Sequence, residues 1–114
     1  MNIFIICTVR NATEEYVNKL NEYTKSLETE GHTVYLPHRD TDQSMPGLDI
    51  CNQNHKAIRA SDEVHIFYNS DSQGTHFDMG VAFALWKRIK VIESVPYGEG
   101  KSYPRMLKEW EDAN

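Results

Sequence analysis

The chain has 114 residues, of which 39% are apolar and 25% charged, with a formal net charge of -5. That length predicts a single domain over residues 1–114 that buries roughly two-thirds of its unfolded surface. The composition excludes a disordered tail or a fibre. The acidic balance argues against a nucleic-acid polymer or an anionic membrane as partner, because each favours a basic patch. No apolar run approaches the roughly 18 residues of a membrane helix. The opening MNIFIICTVRN carries neither a basic leader nor a small-residue cleavage site, which predicts a cytoplasmic protein. Two cysteines, Cys7 and Cys51, form no metal pattern and no disulfide framework.

Residues 2–7 (NIFIIC) form a nearly continuous apolar run, as a strand buried on both faces of a parallel sheet requires. Asn11 and Thr13 are N-cap residues followed by Glu14 and Glu15, and Tyr16, Leu20, Tyr23 and Leu27 recur at helical spacing, so a helix is expected to run up to Gly31. Residues 33–36 (TVYL) read as a second strand ended by Pro37. Residues 38–49 show little periodicity and read as a long loop, the kind that is often functional in a compact domain. A helix over 50–60, a strand over 63–68 (EVHIFY), a polar turn over 69–74 and a helix over 75–87 follow. A short strand over 90–92, a loop over 95–102 and a last helix over 103–111 complete the chain.

This βαβαβαβα order predicts an α/β fold: one doubly wound, flavodoxin- or Rossmann-like domain with a mostly parallel sheet of four or five strands and helices on both sides. In such sheets ligands bind at the carboxyl ends of the strands. Three loops then matter, over 8–13, 37–47 and 69–78.

The richest is Ser70-Asp71-Ser72-Gln73-Gly74-Thr75-His76-Phe77-Asp78, which leaves a strand and opens a helix. Small residues there let backbone N–H groups face an anion at the positive helix end, and Ser72 and Thr75 add hydroxyl donors. Two readings of Asp78 stay open. Its carboxylate can reach a ligand pocket, or, with Thr75 as N-cap, it completes a capping box. In the first loop, Arg10 is suited to bidentate phosphate binding or is a solvated surface arginine. No G-x-G-x-x-G and no P-loop accompany it, which speaks against a dinucleotide or ATP. The same loop lacks the glycine that wrapping an FMN phosphate would need. Among five histidines, none at metal-ligand spacing, His38 sits at a strand end and is the best pocket candidate, whereas His65 lies inside a strand and is expected to be packed.

These segments, taken in order, resemble the nucleoside 2-deoxyribosyltransferase superfamily, including the deoxynucleoside 5′-monophosphate N-glycosidases. The likeness is carried by residues 3–10, by 54–62 (NHKAIRASD), by 63–68, and by Ser72-Gln73-Gly74-Thr75-His76-Phe77-Asp78-Met79-Gly80, and runs to about Ile92. It implies a doubly wound protein that cleaves or exchanges the N-glycosidic bond of a deoxynucleoside or its monophosphate, with no metal and no organic cofactor. A carboxylate in the S-x-G-x-x-x-acid motif would attack the anomeric carbon, trapping an oxocarbenium-like transition state. Asp78 holds that position, one methylene shorter than the Glu usual in the family.

By the same resemblance, a second acid eight residues before Asp62 falls at Asn54, and a first-strand tyrosine falls at Phe4. Arg10 matches a phosphate-binding arginine, and Ser72 and Gly74 match the part that holds the 5′ end. Thr8, His38 and Thr75 complete the expected substrate contacts. A homodimer or higher homo-oligomer with a site shared between chains is also implied. An amide at position 54 cannot exchange a proton as a carboxyl group does. Two functions therefore compete, an enzyme using Asp78 and a catalytically inactive nucleotide-binding module, sensor or sequestering, with the same pocket.

Overall fold

The computed structural model describes residues 1–113. Four strands, β1 (Asn2–Ile6), β2 (Thr33–Tyr35), β3 (Glu63–Phe67) and β4 (Arg88–Glu93), form one sheet in the order β2-β1-β3-β4, and every pairing is parallel. The helices are α1 (Glu14–Thr29), α2 (Pro37–Asp40), α3 (Gly47–Ala60), α4 (Gln73–Ala84) and α5 (Tyr103–Ala113). The α/β, doubly wound arrangement expected from the element order is present, with four strands.

Central β1 and β3 are apolar on both faces because both faces are covered. Ile3, Ile5 and Cys7 pack with Leu20, Tyr16, Tyr23 and Leu27 of α1. Phe4, Ile6, Val64 and Ile66 pack on the opposite face against Ile58 of α3, Met79 and Ala82 of α4, and Leu107 and Trp110 of α5. His65 is buried, as its place in a strand predicts. Its Nδ1 lies 2.6 Å from the Tyr23 hydroxyl and its Nε2 2.7 Å from Glu63. Burial holds its pKa below the ordinary histidine value, against the pull of Glu63.

The strands and the last helix differ from the sequence reading by one or two residues at an end, and α2, α3 and α4 by more. The loop expected over 38–49 contains the single turn α2 and the first residues of α3, which begins at Gly47 directly after Pro46. Proline fixes the chain for helix entry without needing a side-chain cap. The helix expected to start at Thr75 starts at Gln73, because the Ser72 hydroxyl accepts the Thr75 N–H. The same helix ends at Ala84 and not at Lys87. Trp86 adopts φ 53, with Trp86 N–H donating to the Phe83 carbonyl and Lys87 N–H to that of Ala82, a Schellman closure with tryptophan where glycine is usual. The helix α1 closes the same way through Gly31 at φ 98, as expected.

From Ile6 the chain turns back through α1 to β2, whereas from Phe67 it goes through α4 to β4 on the other side. The two connections diverge, so β1/β3 is a topological switch point, and in doubly wound sheets ligands bind at the carboxyl ends of the strands there. Because α1 covers its face alone among the described helices that contribute to that core, Leu20 is a sensitive reporter. Leu20→Ala is expected to cost about 2–5 kcal/mol, read as a lower urea midpoint at unchanged m-value.

Candidate active site

Asp78 lies in the second turn of α4, on the face turned to the sheet, and is 7% exposed. With Ser72 as N-cap it sits six residues past the cap, too far in for a capping box. The capping reading is thereby overturned: the cap is Ser72, and Thr75 is a fully buried residue of the first turn. The carboxylate of Asp78 is free of that local role. Among the described residues its one hydrogen-bond partner is the Asn54 amide of α3, which donates Nδ2–H to Oδ2 at 3.5 Å, a long bond.

Burial pushes the Asp78 carboxyl up to about 7, and the Asn54 amide opposes that rise by stabilising the charged form. Cys7 directly follows β1 and packs on the α1 side of the sheet. Burial first, then the nearby Asp78 charge, pushes its thiol up to about 12, so it stays protonated at neutral pH.

Asn54 is itself held. Its Oδ1 accepts from the Thr41 hydroxyl at 2.8 Å, and Thr41 Oγ1 lies 2.6 Å from the Tyr35 hydroxyl. Thr41, Asn54 and Asp78 are all buried. This chain of four polar side chains draws on β2, the residue after α2, α3 and α4.

Phe4 requires a correction. It is fully buried, and its ring lies over Tyr35 with centroids 5.4 Å apart and planes 11° from parallel. A residue in the middle of the central strand points into the packed layer, and Phe4 is part of the core. His38 sits on α2 with Nε2–H donating to the Thr8 carbonyl at 2.8 Å, which ties the second loop to the first. The hydroxyls of Thr8 and Thr75 are buried and have no hydrogen-bond partner. Ser72 and Gly74 lie at the start of α4, where the first N–H groups lack partners within the helix. A Cβ added at Gly74 would meet nothing within 4 Å. Arg10 is exposed on the turn after β1, next to Asn11 at φ 59. Asp78 and Asn54 are thus in contact, Thr8 and His38 are in contact, Ser72 and Thr75 form the cap, and Phe4 lies beneath.

Sequence reasoning missed Thr41 and Tyr35, which stand in segments with no motif. It also passed over His76, whose Nδ1–H donates to the Ser72 carbonyl at 2.7 Å and whose Nε2 lies 2.9 Å from the Tyr68 hydroxyl. Tyr103 packs edge-on against the same ring at 4.7 Å. The position of His76 within the motif was the available signal. Two open hollows lie elsewhere. One of about 480 Å³ lies among Ser61, Asp62, Trp86 and Arg88 at the amino ends of the strands, and one of about 240 Å³ lies among Ile92, Tyr97 and Glu111. Neither contains a buried titratable side chain like Asp78. Among the described residues no three His, Cys, Asp or Glu side chains gather as a metal site, and no helix is long and apolar enough to cross a membrane.

Solved structures share this fold. The 2-deoxyribosyltransferase from Bacillus psychrosaccharolyticus superposes with a TM-score of 0.71 at 19% identity, covering 99% of this chain and 90% of that one. The CMP N-glycosidase BcmB of Clostridium botulinum superposes with a TM-score of 0.68 at 20% identity, covering 98% of this chain and 81% of that one. The chain shares its fold with both of these enzymes. The 2-deoxyribosyltransferase from Leishmania mexicana matches over 82% of this chain and 65% of its own, with a TM-score of 0.65 and 20% identity. No family model matches the sequence, and no curated protein matches it. The deoxyribosyltransferase-like fold is therefore carried by three-dimensional likeness.

The carboxyl of Asp78 has a consequence for stability. When unfolded it loses its proton near 3.8, and when folded near about 7. Between those values the folded chain binds more protons, so the contribution of the neutral carboxyl is full at low pH and falls as pH rises toward about 7. Asp78→Asn is expected to be more stable than the parent by about 1–3 kcal/mol at pH 8 and nearly equal at pH 4. Urea denaturation at the two pH values checks this.

Proposed function

We propose that the protein cleaves or exchanges the N-glycosidic bond of a nucleoside or its 5′-monophosphate, with the Asp78 carboxylate attacking the anomeric carbon. The observation that carries this reading is a buried carboxylate at the carboxyl end of the sheet with a single amide partner. A nucleophile so sparsely bonded keeps its lone pairs for an electrophile, and low local polarity strengthens its attraction for a developing oxocarbenium ion. The Asp78–sugar ester that forms is then opened by water or by a second base, with the C1′–Oδ bond replaced by a C1′–O or C1′–N bond.

Roles for the surroundings follow. The first N–H groups of α4, the Ser72 hydroxyl and Arg10 suit a 5′ phosphate or hydroxyl. The unpartnered hydroxyls of Thr8 and Thr75 are donors whose burial cost a sugar oxygen would offset. Asn54, an amide, orients Asp78 and exchanges no proton with a departing base. The reading extends to a homo-oligomer, supported by Phe77, Phe83 and Trp86, which stand exposed on and just after α4.

The amide at position 54 also favours the second reading, a binding module without turnover, since Asp78 has no acidic hydrogen-bond partner among the described residues. A chromatographic assay over deoxynucleosides and their monophosphates, with and without an acceptor base, separates the two. Under the enzyme reading free base or exchanged nucleoside forms, the rate rises with pH and levels above about 7 as Asp78 ionises, and Asp78→Asn loses at least about 10³-fold in turnover while keeping affinity. Thermal stabilisation by a nucleotide with no product from any substrate would instead establish the binding module.

Gly74 gives a separate check. Space around it is open to a side chain within the protein, so Gly74→Ala is expected to raise stability by up to about 1 kcal/mol through helix propensity. If the 5′ end of the ligand approaches that backbone, the same variant weakens nucleotide binding at least about tenfold. Calorimetry of the folded variant reads both effects.

A further inference from the structure

The chain of contacts behind Asp78 has a direction. Asn54 can turn its amide either way round. With Oδ1 toward the ionised Asp78, two acceptors would stand face to face, so Nδ2–H must point there. Oδ1 then points away and needs a donor in a buried setting. Thr41 supplies it at 2.8 Å with its single hydroxyl proton. Because that proton is committed, the Thr41 oxygen accepts from the Tyr35 hydroxyl at 2.6 Å, a closer partner for Tyr35 than the Asp40 carbonyl at 3.3 Å. Tyr35 is in turn fixed by its stack on the fully buried Phe4. The donors thus run in one sense, from β2 to the carboxylate.

We propose that Tyr35 and Thr41 are positioning residues that lock the Asn54 amide with its N–H toward Asp78. The consequence for reactivity rests on the reading of Asp78 as the reactive group, whereas the geometry of the chain stands without it. Removing the Thr41 hydroxyl leaves the Asn54 amide held by Asp78 alone, which orients it only when ionised, and removing that of Tyr35 leaves Thr41 free to accept as well as donate. In either case the donor to the carboxylate is less firmly placed.

A less firmly placed donor disfavours the charged form, so the Asp78 titration midpoint moves upward from about 7. The groups near Asp78 on neighbouring elements do not compensate. Cys7, directly after β1, is a neutral thiol, Asn54 on α3 carries no charge, and on α4 itself His76 is turned to Ser72 and Tyr68.

The test is a ¹³C-carboxyl NMR titration of Asp78 in the free, full-length protein. Thr41→Val and Tyr35→Phe are expected to raise the midpoint by about half a unit to one unit, and Thr41→Ser to leave it near that of the parent. If Thr41→Val does not fold, Tyr35→Phe decides, since it keeps the ring over Phe4. A midpoint unmoved or lowered in a folded hydroxyl-deletion variant overturns the proposal. So does a Thr41→Ser midpoint displaced as far as that of Thr41→Val, which would mean that shape and not the hydroxyl matters. The titration needs no turnover, so an inactive protein with the expected shifts refutes the enzyme reading alone. An active protein whose midpoints and rising pH limb do not move in these variants refutes the positioning role alone.

Discussion

Everything chemical in this molecule depends on where the chain reverses its winding. β1 sends its connection one way and β3 the other, so the loops that leave the carboxyl ends of these two strands diverge. A short chain has few places where polar side chains can be buried without displacing core. Here Thr41, Asn54 and Asp78 are buried together, apart from Thr24, Ser61 and His65, which are buried elsewhere.

Asp78 shows what this placement does to a residue. An aspartate in the second turn of a surface helix would be an ordinary solvated carboxylate. Ser72 takes over the capping role and starts the helix two residues before Thr75, so the same residue is turned toward the sheet and away from water. Burial then raises its affinity for a proton, and a single amide limits the rise. Charge is thereby made costly and available at once, a balance that suits a nucleophile meeting a cationic sugar. Asn54 places an amide, which exchanges no proton, against that carboxylate.

The support for that centre is spread across the fold. Tyr35 stands on the edge strand, Thr41 follows a single helical turn, and Asn54 lies midway along α3. Phe4, expected at the substrate, holds Tyr35 from below instead. A strand residue with both neighbours paired has its side chain committed to a packed layer, whatever a motif comparison assigns to the position. Thr8 and Thr75 are the opposite case. Both are buried hydroxyls left without protein partners, which is uncommon in a packed interior and directs attention to their loops.

The sequence by itself determined the order of elements, the parallel sheet, the stop of α1 at Gly31 and the packed state of His65, because hydrophobic period and turn chemistry are local signals. It also singled out the loop from Ser72 to Asp78, since small residues between a strand and a helix are legible in one dimension. Tertiary structure alone decided that α3 begins at Gly47, that Ser72 is the cap, and that tryptophan closes α4 at φ 53. It alone brought Tyr35 and Thr41 behind Asn54, and Asn54 against Asp78, 24 residues along the chain. No spacing rule encodes such a meeting. It comes from two helices, α3 and α4, packing side by side on one face of the sheet, and that packing is fixed by the apolar residues around the polar chain.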